Sequence, residues 1–452
     1  MSYFVKAQLL GAVMPEIVNW CLDAPSPQTL YSLKELEQGV WFQGWVLSQS
    51  VLTVEIFIRR GADYFFWTLD RNRPDVINKV LKTDAHAHPK LTCGFRQLFR
   101  LQPGDILGFA VNTRYYEVLQ FSIEAEPRPL EGRNGWLFLD NDTNKSIEQY
   151  CGALLLSTQQ IAAWKSYLTE LTMLQKTAFN GKSALLVAPS KELVFPQYYP
   201  YAKGEFTVME QFLALSQQYT NIIFPIEQLQ SMPERSFRVT DTHWTYAGAR
   251  EATVVLAELL LDTATDIRNI FAKDVYAQHK VMGDLGNKLY PPRYADEQVL
   301  RNASHKPFLL YDNMLSNFGR VKVIKNDNAL NTLHCVIFGS SSVYTMLDFL
   351  CRVFGTITFF HTAGNIDKSL ISQLAPDIVI AQTNCRFLIR PPSVEYDLRR
   401  VITEKLLQLG EPAATELFLS CKKQARGTEH KTVALLQDLL EKAFYHSGFK
   451  IE

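Results

Sequence analysis

Three short apolar runs in the C-terminal half constrain the fold most strongly. They occupy residues 335–338, 356–360 and 377–381 and are rich in β-branched and aromatic side chains. A strand with one wet face alternates apolar and polar residues, so runs of this kind indicate strands covered on both faces. Helical spacing lies between them, and strands that alternate with helices favour a doubly wound parallel sheet. The sequence therefore predicts an α/β domain.

The N-terminal part follows a different pattern. Short β-rich runs lie at 40–46, 52–58, 64–67, 106–111 and 115–123, with turn residues between them, which is typical of a β-sandwich. Pro127 and Pro129 mark a linker because proline supports neither a helix nor a strand ladder. From 394 onward the spacing is that of amphipathic helices. We expect a sandwich at 1–127, an α/β domain at 128–392 and a helical segment at 393–452 docked on it.

Composition excludes several function classes. The 452 residues carry 46 Lys and Arg against 46 Asp and Glu, so no general field attracts nucleic acid or an anionic membrane. The apolar run at 9–14 is too short for a transmembrane helix and lacks the features of a secretory signal. Seven scattered cysteines without a Cys-x-x-Cys favour reduced thiols. We expect a cytoplasmic protein that binds no nucleic acid and has no transmembrane segment, in an oligomeric state that the sequence does not define.

One acid–histidine pair attracts attention as a candidate site. Asp241 and His243 are two positions apart, and in extended register their side chains point the same way. Helical spacing follows directly, so the pair lies on a strand or loop edge that leads into a helix. Such a pair can be half of a nucleophile triad, two metal ligands or a hydrogen-bonded turn without chemistry.

A second candidate follows the run at 335–338. Gly339 is followed by Ser340, Ser341 and Ser342, and open α/β sheets bind substrates beyond the carboxyl ends of their strands. A glycine allows a sharp turn that exposes the next hydroxyls near backbone N–H groups, which suits an oxyanion hole. The same pattern is also typical of a helix N-cap or a phosphate site. It is not Gly-x-Ser-x-Gly, so the usual α/β-hydrolase elbow is not indicated.

The two stretches together favour a triad. A serine hydroxyl is a poor nucleophile until a base removes its proton, and an acid must orient that base. Ser341, His243 and Asp241 supply these three parts. No further His or Cys pair near Asp241 has ligand spacing, and His361 is the one loose candidate ligand, so we expect no metal.

Several motifs of the chain together resemble those of a known family. Five motifs occur in order: Gly-Arg-Asn-Gly-Trp-Leu-Phe-Leu at 132–139, Pro-Ser-Lys at 189–191, Asp-Thr-His-Trp at 241–244, Gly-Asp-Leu-Gly at 283–286 and Gly-Ser-Ser at 339–341. Together they resemble the SGNH-hydrolase-like domain of alginate O-acetyltransferases and related polysaccharide acetylation proteins, over residues 132–390. The resemblance implies a three-layer SGNH-like parallel sheet with a permuted triad.

The resemblance also implies residue roles. Asp241 is the acid, His243 the base and Ser341 the nucleophile that carries an acetyl group, although Ser340 replaces the aspartate that precedes the nucleophile in many relatives. That leaves Ser340 and Ser342 as alternative nucleophiles. The expected substrate-binding residues are Lys191, Asn287, Arg386, His361 and Trp244. Lys191 and Arg386 could equally be structural charges, and Trp244 is expected to pack and hold its turn.

The N-terminal segment resembles carbohydrate-binding or immunoglobulin-like sandwiches that accompany sugar-modifying enzymes. Its exposed aromatic side chains could stack on sugar rings. Trp41, Trp45 and Trp67 have strand spacing, however, and we expect them in the core.

These expectations define a function and two alternatives. The chain is expected to be an O-acetyltransferase that acts on a glycan or glycan precursor through an acetyl-serine. The alternatives are a carbohydrate acetylesterase of the same fold and a non-catalytic glycan-binding component of a polysaccharide acetylation or export system. No bound cofactor is expected. Because relatives receive acetyl groups from a membrane partner outside the cytoplasm and this chain shows no export signal, the expected donor is acetyl-CoA.

Overall fold

The computed structural model describes residues 2–49, 53–125, 128–177, 179–261, 264–289 and 292–450. The chain divides into two compact units, Met1–Pro127 with Asn141–Thr143, and Arg128–Asp140 with Asn144–Glu452. Among the described helices, none has the length and apolar character that crossing a bilayer requires.

The first unit is built almost entirely of strands. Its elements are β1 (Ser2–Leu9), β2 (Ile17–Ala24), β3 (Leu30–Ser32), α1 (Leu33–Gln38), β4 (Val40–Ser48), β5 (Val54–Arg60), β6 (Asp63–Thr68), β7 (Arg71–Asn72), α2 (Pro74–Val76), β8 (Thr92–Phe99), β9 (Ile106–Val111) and β10 (Arg114–Ala125).

These strands form two antiparallel sheets around one core. One sheet has the order β3-β1-β10-β9-β5-β6 and the other β2-β4-β8-β7. Ile56 and Phe109 from the first sheet and Phe42 and Phe95 from the second belong to the same buried cluster. Alternate residues of each strand therefore face the core, and the others face outward.

The tryptophans of this unit depart in part from expectation. Trp45 is buried and Trp67 packs against the core, as the strand spacing predicted. The expectation for Trp41 was wrong, because its side chain is 46% exposed and stacks under the Arg96 guanidinium at 4.4 Å. Trp41 occupies an outward position of β4, between the buried Val40 and Phe42, so alternation places it on the face away from this core.

The second unit alternates strands and helices. Its elements are β11 (Arg128–Glu131), β12 (Leu137–Asp140), α3 (Ser146–Tyr150), α4 (Thr158–Thr177), β13 (Lys182–Ala188), α5 (Lys191–Val194), α6 (Val208–Ser216), β14 (Ile222–Ile223), α7 (Ile226–Ser231), α8 (Tyr246–Leu260), α9 (Ala264–Phe271), β15 (Tyr276–Val281), β16 (Ala295–Leu300), β17 (Leu309–Asp312), β18 (Val321–Lys325), β19 (Asn331–Gly339), α10 (Val343–Val353), β20 (Phe354–His361), α11 (Lys368–Leu374), β21 (Ile378–Asn384), α12 (Leu398–Leu409), α13 (Glu411–Arg426) and α14 (Lys431–His446).

The central sheet has the order β14-β13-β21-β19-β20-β18-β17. Successive residues of its strands face opposite sides: Val336 and Phe338 of β19 belong to one buried cluster, and Cys335 and Ile337 to another. Both faces are thus covered, as the apolar runs predicted, and the unit is a mixed α/β structure.

The expected parallel pairing joins β14, β13, β21, β19 and β20, but the expectation of a parallel sheet was wrong at one edge. β18 runs antiparallel to β20, and β17 antiparallel to β18. The sequence did not indicate β18 as a buried strand, because Lys322 interrupts its apolar run. In the structure its side chain is buried and its Nζ lies 2.9 Å from an Asp312 carboxylate oxygen, so the charge is paired inside the sheet edge.

The C-terminal residues form three helices, α12, α13 and α14. Their apolar faces, including Leu406, Phe418 and Phe444, belong to the buried cluster on one face of the central sheet. These helices therefore share a core with the sheet that carries the candidate site.

Candidate active site

The serine loop lies at the carboxyl end of β19. Ser340 is buried, and its hydroxyl donates to Gln382 Oε1 at 2.8 Å. The Ser342 hydroxyl donates to Asn384 Oδ1 at 3.0 Å. Both hydroxyls therefore hold the loop in place, whereas the partly exposed Ser341 directs its Oγ towards His243.

The acid–histidine pair lies in a loop that leads into α8. Its residues are not extended, as the sequence had suggested, but form a turn in which Asp241 Oδ1 accepts the His243 backbone N–H at 2.9 Å. Aspartate favours such turns because its side chain hydrogen-bonds the backbone two residues on. Thr245 then caps α8 by accepting the Gly248 N–H at 3.1 Å. The expected loop that leads into a helix is therefore present.

These two loops bring three side chains together in one hydrogen-bonded relay. The distance from Asp241 Oδ1 to His243 Nδ1 is 2.7 Å, and that from His243 Nε2 to Ser341 Oγ is 2.8 Å. With Nδ1 protonated towards the carboxylate, Nε2 is free to accept the serine proton. The arrangement can remove a proton from Ser341 and return it to a leaving group.

The carboxylate of Asp241 is held in its charged form. Burial opposes ionisation, but the hydrogen bond and charge of His243 and the charge of Arg238, 3.6 Å away, outweigh it and hold the pKa of Asp241 well below its ordinary value. A charged acid stabilises the imidazolium that forms when His243 takes a proton.

A second carboxylate lies beside the pair. Asp284 accepts the Thr242 backbone N–H at 2.7 Å and the Thr242 hydroxyl at 2.5 Å, and its Oδ2 is 3.6 Å from His243 Nδ1. The Asp284 backbone N–H donates to Asp241 Oδ2 at 3.2 Å. The Gly-Asp-Leu-Gly motif at 283–286 is the sequence signal for this residue, but the motif alone assigns Asp284 no role.

The same acids raise the question of a metal. Asp241, His243 and Asp284 each offer a ligand atom, and these atoms lie within 4.8 Å of one another. Nδ1 of His243 already pairs with Asp241 and Nε2 with Ser341. A cation bound to the imidazole would replace one of those hydrogen bonds, so the donor set suits a proton relay better than a metal.

Lys191 contacts the backbone of the loop that carries Asp241. Its side chain is buried, and Nζ donates to the carbonyls of Arg238, Val239 and Asp241 at 3.1, 3.2 and 2.8 Å. Burial lowers the pKa of Lys191 to about 8, although nearby carboxylates led by Asp284 oppose the shift. The ammonium therefore fastens the backbone of the loop that carries Asp241.

Two further expected contacts are buried close to the relay. Trp244 donates its Nε1–H to the Ser342 carbonyl at 3.0 Å, which ties the histidine loop to the serine loop. His361, at the end of β20, lies 3.0 Å from the Tyr344 hydroxyl through Nδ1. Burial, followed by the charge of Arg320, lowers the pKa of His361 to about 4, so its ring is neutral near pH 7.

Asn287 and Arg386 occupy different surroundings. The Asn287 side chain is exposed on the turn Gly286–Lys288, which follows Asp284. Arg386 is partly buried and lines a small cavity of about 40 Å³ together with Lys191, Thr242 and others. That volume holds one or two water molecules at most.

A supporting network behind the serine loop was missed from the sequence. Gln382 Oε1 accepts the Ser340 backbone N–H at 2.7 Å, and Asn384 Oδ1 accepts from the Ser340 and Ser342 hydroxyls at 3.2 and 3.0 Å. Both amides lie at the carboxyl end of β21, next to β19. The strand-end rule that located the serines also applies here, since the run at 377–381 leads directly into these residues.

Comparisons with known proteins give structural likeness only. No protein-family model and no curated protein matches the sequence. Among solved structures, the O-acetyltransferase domain of Pseudomonas putida AlgJ is 16% identical, with a TM-score of 0.38, over 62% of this chain and 99% of that one. Bacillus cereus PatB1 is 13% identical with a TM-score of 0.42, over 58% and 97%. Pseudomonas aeruginosa AlgX is 15% identical with a TM-score of 0.35, over 60% of this chain and 62% of that one.

Proposed function

We propose that the chain is a serine-dependent O-acetyltransferase that transfers an acetyl group to a hydroxyl of a glycan or glycan precursor. The observation that carries the proposal is the relay from Asp241 through His243 to Ser341, with both hydrogen bonds below 3 Å. The sequence motifs that resemble polysaccharide acetylation proteins supply the acyl group and the acceptor class.

The first half-reaction loads the enzyme. Ser341 Oγ attacks the acetyl carbonyl carbon while its proton moves to His243 Nε2. The bond between the acetyl carbon and the donor then breaks, and the leaving group takes the proton from Nε2. With acetyl-CoA, the donor that we propose, the leaving group departs as the thiol. Asp241 stabilises the imidazolium throughout.

The second half-reaction unloads the enzyme. A sugar hydroxyl gives its proton to His243 Nε2 and attacks the acetyl-serine carbonyl, after which Ser341 Oγ leaves and recovers that proton. The His243 side chain is 25% exposed, so water can reach the same position. Hydrolysis of the acetyl-enzyme is therefore the competing reaction, and a carbohydrate acetylesterase is the second candidate function.

The experiment compares Ser341→Ala with the neighbouring Ser342→Ala on p-nitrophenyl acetate. Loss of a triad nucleophile lowers turnover by roughly 10³- to 10⁶-fold. Ser342→Ala removes one hydrogen bond to Asn384, so we expect a loss of no more than about tenfold. Equal activity of the Ser341→Ala and wild-type proteins would contradict the proposal.

Mass spectrometry of acceptor oligosaccharides separates the two candidates. With acetyl-CoA and oligosaccharides present, a transferase yields acetylated sugar that depends on Ser341. Free acetate without acetylated sugar would assign the esterase instead.

A further inference from the structure

The first unit carries an aromatic patch on the outer face of its six-stranded sheet. Tyr64 and Phe66 of β6 and Tyr115 of β10 are 42%, 44% and 56% exposed. Their strand neighbours, such as Phe65 and Tyr116, point to the other side of the sheet. We call Tyr64, Phe66, Tyr115 and the Phe57 ring beneath them the aromatic platform.

The platform rests on a fixed base. Phe57 of β5 is fully buried under the other three rings, with centroid distances of 5.4, 5.9 and 5.7 Å to Tyr64, Phe66 and Tyr115. Its register partner on β9 is Gly108, where a Cβ would lie 2.2 Å from Phe57 Cζ. A side chain at position 108 would displace the Phe57 ring, so the glycine makes room for it.

The exposed rings have a defined arrangement. Tyr64 and Phe66 are nearly parallel, with an interplanar angle of 13° and centroids 6.0 Å apart. Tyr115 lies 5.6 Å from Tyr64 and 5.9 Å from Phe66, tilted against both. The three rings therefore form one continuous aromatic surface held by Phe57.

A neutral ion pair borders the rings. Arg59 follows Phe57 by two residues and Glu117 follows Tyr115 by two, so both share the outward face. Two hydrogen bonds join them, from Arg59 Nε to Glu117 Oε1 and from Nη2 to Oε2 at 3.1 Å. Their side chains are 26% and 36% exposed. This pair thus offers donors and acceptors without net charge of its own.

Sugar rings match this combination. A pyranose has an apolar C–H face that packs on aromatic rings and hydroxyls that require both donors and acceptors. A paired arginine and glutamate give no net attraction to an anionic group. A protein partner fits poorly, because about 800 Å² per partner is usual for a stable interface. Three half-exposed rings of roughly 150–250 Å² each offer about half of that area at most.

We propose that the aromatic platform binds a sugar ring of a neutral polysaccharide. The inference rests on the proposed function and deepens it: the first unit would hold the polymer that the second unit acetylates. It also assigns the expected sugar contact of this unit, made by exposed aromatic side chains, to Tyr64, Phe66 and Tyr115.

Affinity electrophoresis of the full chain tests the platform. Native gels contain soluble galactomannan, mixed-linkage β-glucan or xylan, with anionic polygalacturonate in a parallel gel. We expect retardation in at least one neutral gel. Phe66→Leu and Tyr115→Leu keep apolar cover over Phe57 but remove a ring, and each should weaken binding by roughly two- to tenfold. Trp41→Leu, an exposed aromatic on the other sheet, is the matched control and should bind like wild type.

The outcomes separate this inference from the proposed function. Ser341→Ala should bind polysaccharide like wild type, because binding requires no acetyl transfer. Absence of retardation in all three neutral gels, or retardation that Phe66→Leu and Tyr115→Leu leave unchanged, would overturn the platform even if Ser341-dependent transfer is intact. Retardation in polygalacturonate alone would also overturn it. Conversion of a dimer to a monomer by Tyr115→Leu, without polysaccharide binding, would assign the patch to contact between copies of the chain.

Discussion

Two carboxylates lie near the imidazole of His243, and their geometry assigns them different roles. Asp241 accepts from Nδ1 at 2.7 Å, whereas Asp284 Oδ2 is 3.6 Å from that nitrogen and accepts instead from Thr242. Asp241 therefore sets the tautomer of the ring, and Asp284 holds the backbone between the acid and the base.

Isosteric amide variants distinguish the two acids. We expect Asp241→Asn to lower kcat by roughly 10³- to 10⁴-fold, because an amide can favour the wrong histidine tautomer. Asp284→Asn should cost no more than about 100-fold, the equivalent of charged hydrogen bonds worth about 3 kcal/mol. Steady-state kinetics on p-nitrophenyl acetate measures both. A larger loss in Asp284→Asn than in Asp241→Asn would reverse the assignment.

The sequence located the residues of the site whose motifs lie within a few consecutive positions. Asp241 and His243 are two positions apart in the chain, and Ser341 lies two positions after a glycine at a strand end. Asp284 lies 43 positions after Asp241, as its hydrogen bond to that residue shows. Spacing within one segment cannot place residues that fold together from distant loops, so Asp284 required the structure.

At the scale of elements, α5 begins with a charge that fastens another loop. Lys191 is the first residue of this short helix, and its ammonium contacts three carbonyls of the segment before His243. The rings of Phe138 and Trp136 lie 4.9 and 5.5 Å from Nζ. Lys191 is thus a positioning residue for the acid of the relay.

Lys191→Met tests that role. Loss of the ammonium frees the Asp241 carbonyl, and a displacement of the acid by about 1 Å costs on the order of 100-fold in rate. We expect kcat to fall while KM for p-nitrophenyl acetate stays within about twofold, since Lys191 makes no substrate contact in this account. A rise in KM at constant kcat would return Lys191 to substrate binding.

The pH dependence of stability provides a second readout of the same variant. The folded pKa of Lys191 is about 8 against an ordinary 10.5, so between these values the unfolded chain binds a proton that the folded chain does not. The contribution of Lys191 to the free energy of unfolding therefore rises as the pH increases from about 8 to 10.5, by on the order of 3 kcal/mol. Wild type should gain unfolding free energy relative to Lys191→Met between pH 8 and 10.

The sequence predicts the central strands of the sheet better than its edge strands. The apolar runs of β19, β20 and β21 predicted buried strands because their positions face apolar layers on both sides. The edge strand β18 contains Lys322, whose charge is satisfied by Asp312, and a hydrophobic-run criterion cannot anticipate a paired lysine. The antiparallel edge of the sheet was missed for that reason.

At the scale of the whole molecule, two neutral histidines, the partly buried His334 and the buried His361, link stability to pH. Burial lowers the pKa of His334 on β19 and of His361 on β20 from 6.5 to about 4. Between these values the unfolded chain takes up protons that the folded chain excludes. Acid therefore favours the unfolded chain, and stability falls as the pH drops from about 6.5 to 4.

We expect unfolding free energy, measured by urea titration with circular dichroism, to fall by about 2 kcal/mol per histidine between pH 7 and 5. His334→Gln and His361→Gln should each flatten this dependence. His279→Gln, at an exposed position, is the control and should leave it unchanged. An identical slope in all four proteins would show that His334 and His361 do not carry the effect.

The spacing of apolar residues predicted two kinds of architecture in one chain, and the structure has a mainly β unit and an α/β unit. That spacing could not supply which aromatic residues face solvent. Trp41 and Trp45 lie four positions apart in β4, yet one is exposed and the other buried. Burial of a strand residue depends on what covers its face of the sheet, and that is settled by packing.

The central claim is that Ser341 carries the acetyl group during turnover. The direct measurement incubates wild-type protein with acetyl-CoA, and in parallel with p-nitrophenyl acetate, then quenches in acid and locates the adduct by peptide mass spectrometry. We expect one acetyl group on the Ser341 hydroxyl, which Ser341→Ala abolishes and an added oligosaccharide acceptor discharges. An adduct on Ser340 or Ser342, or full turnover in Ser341→Ala protein, would contradict it.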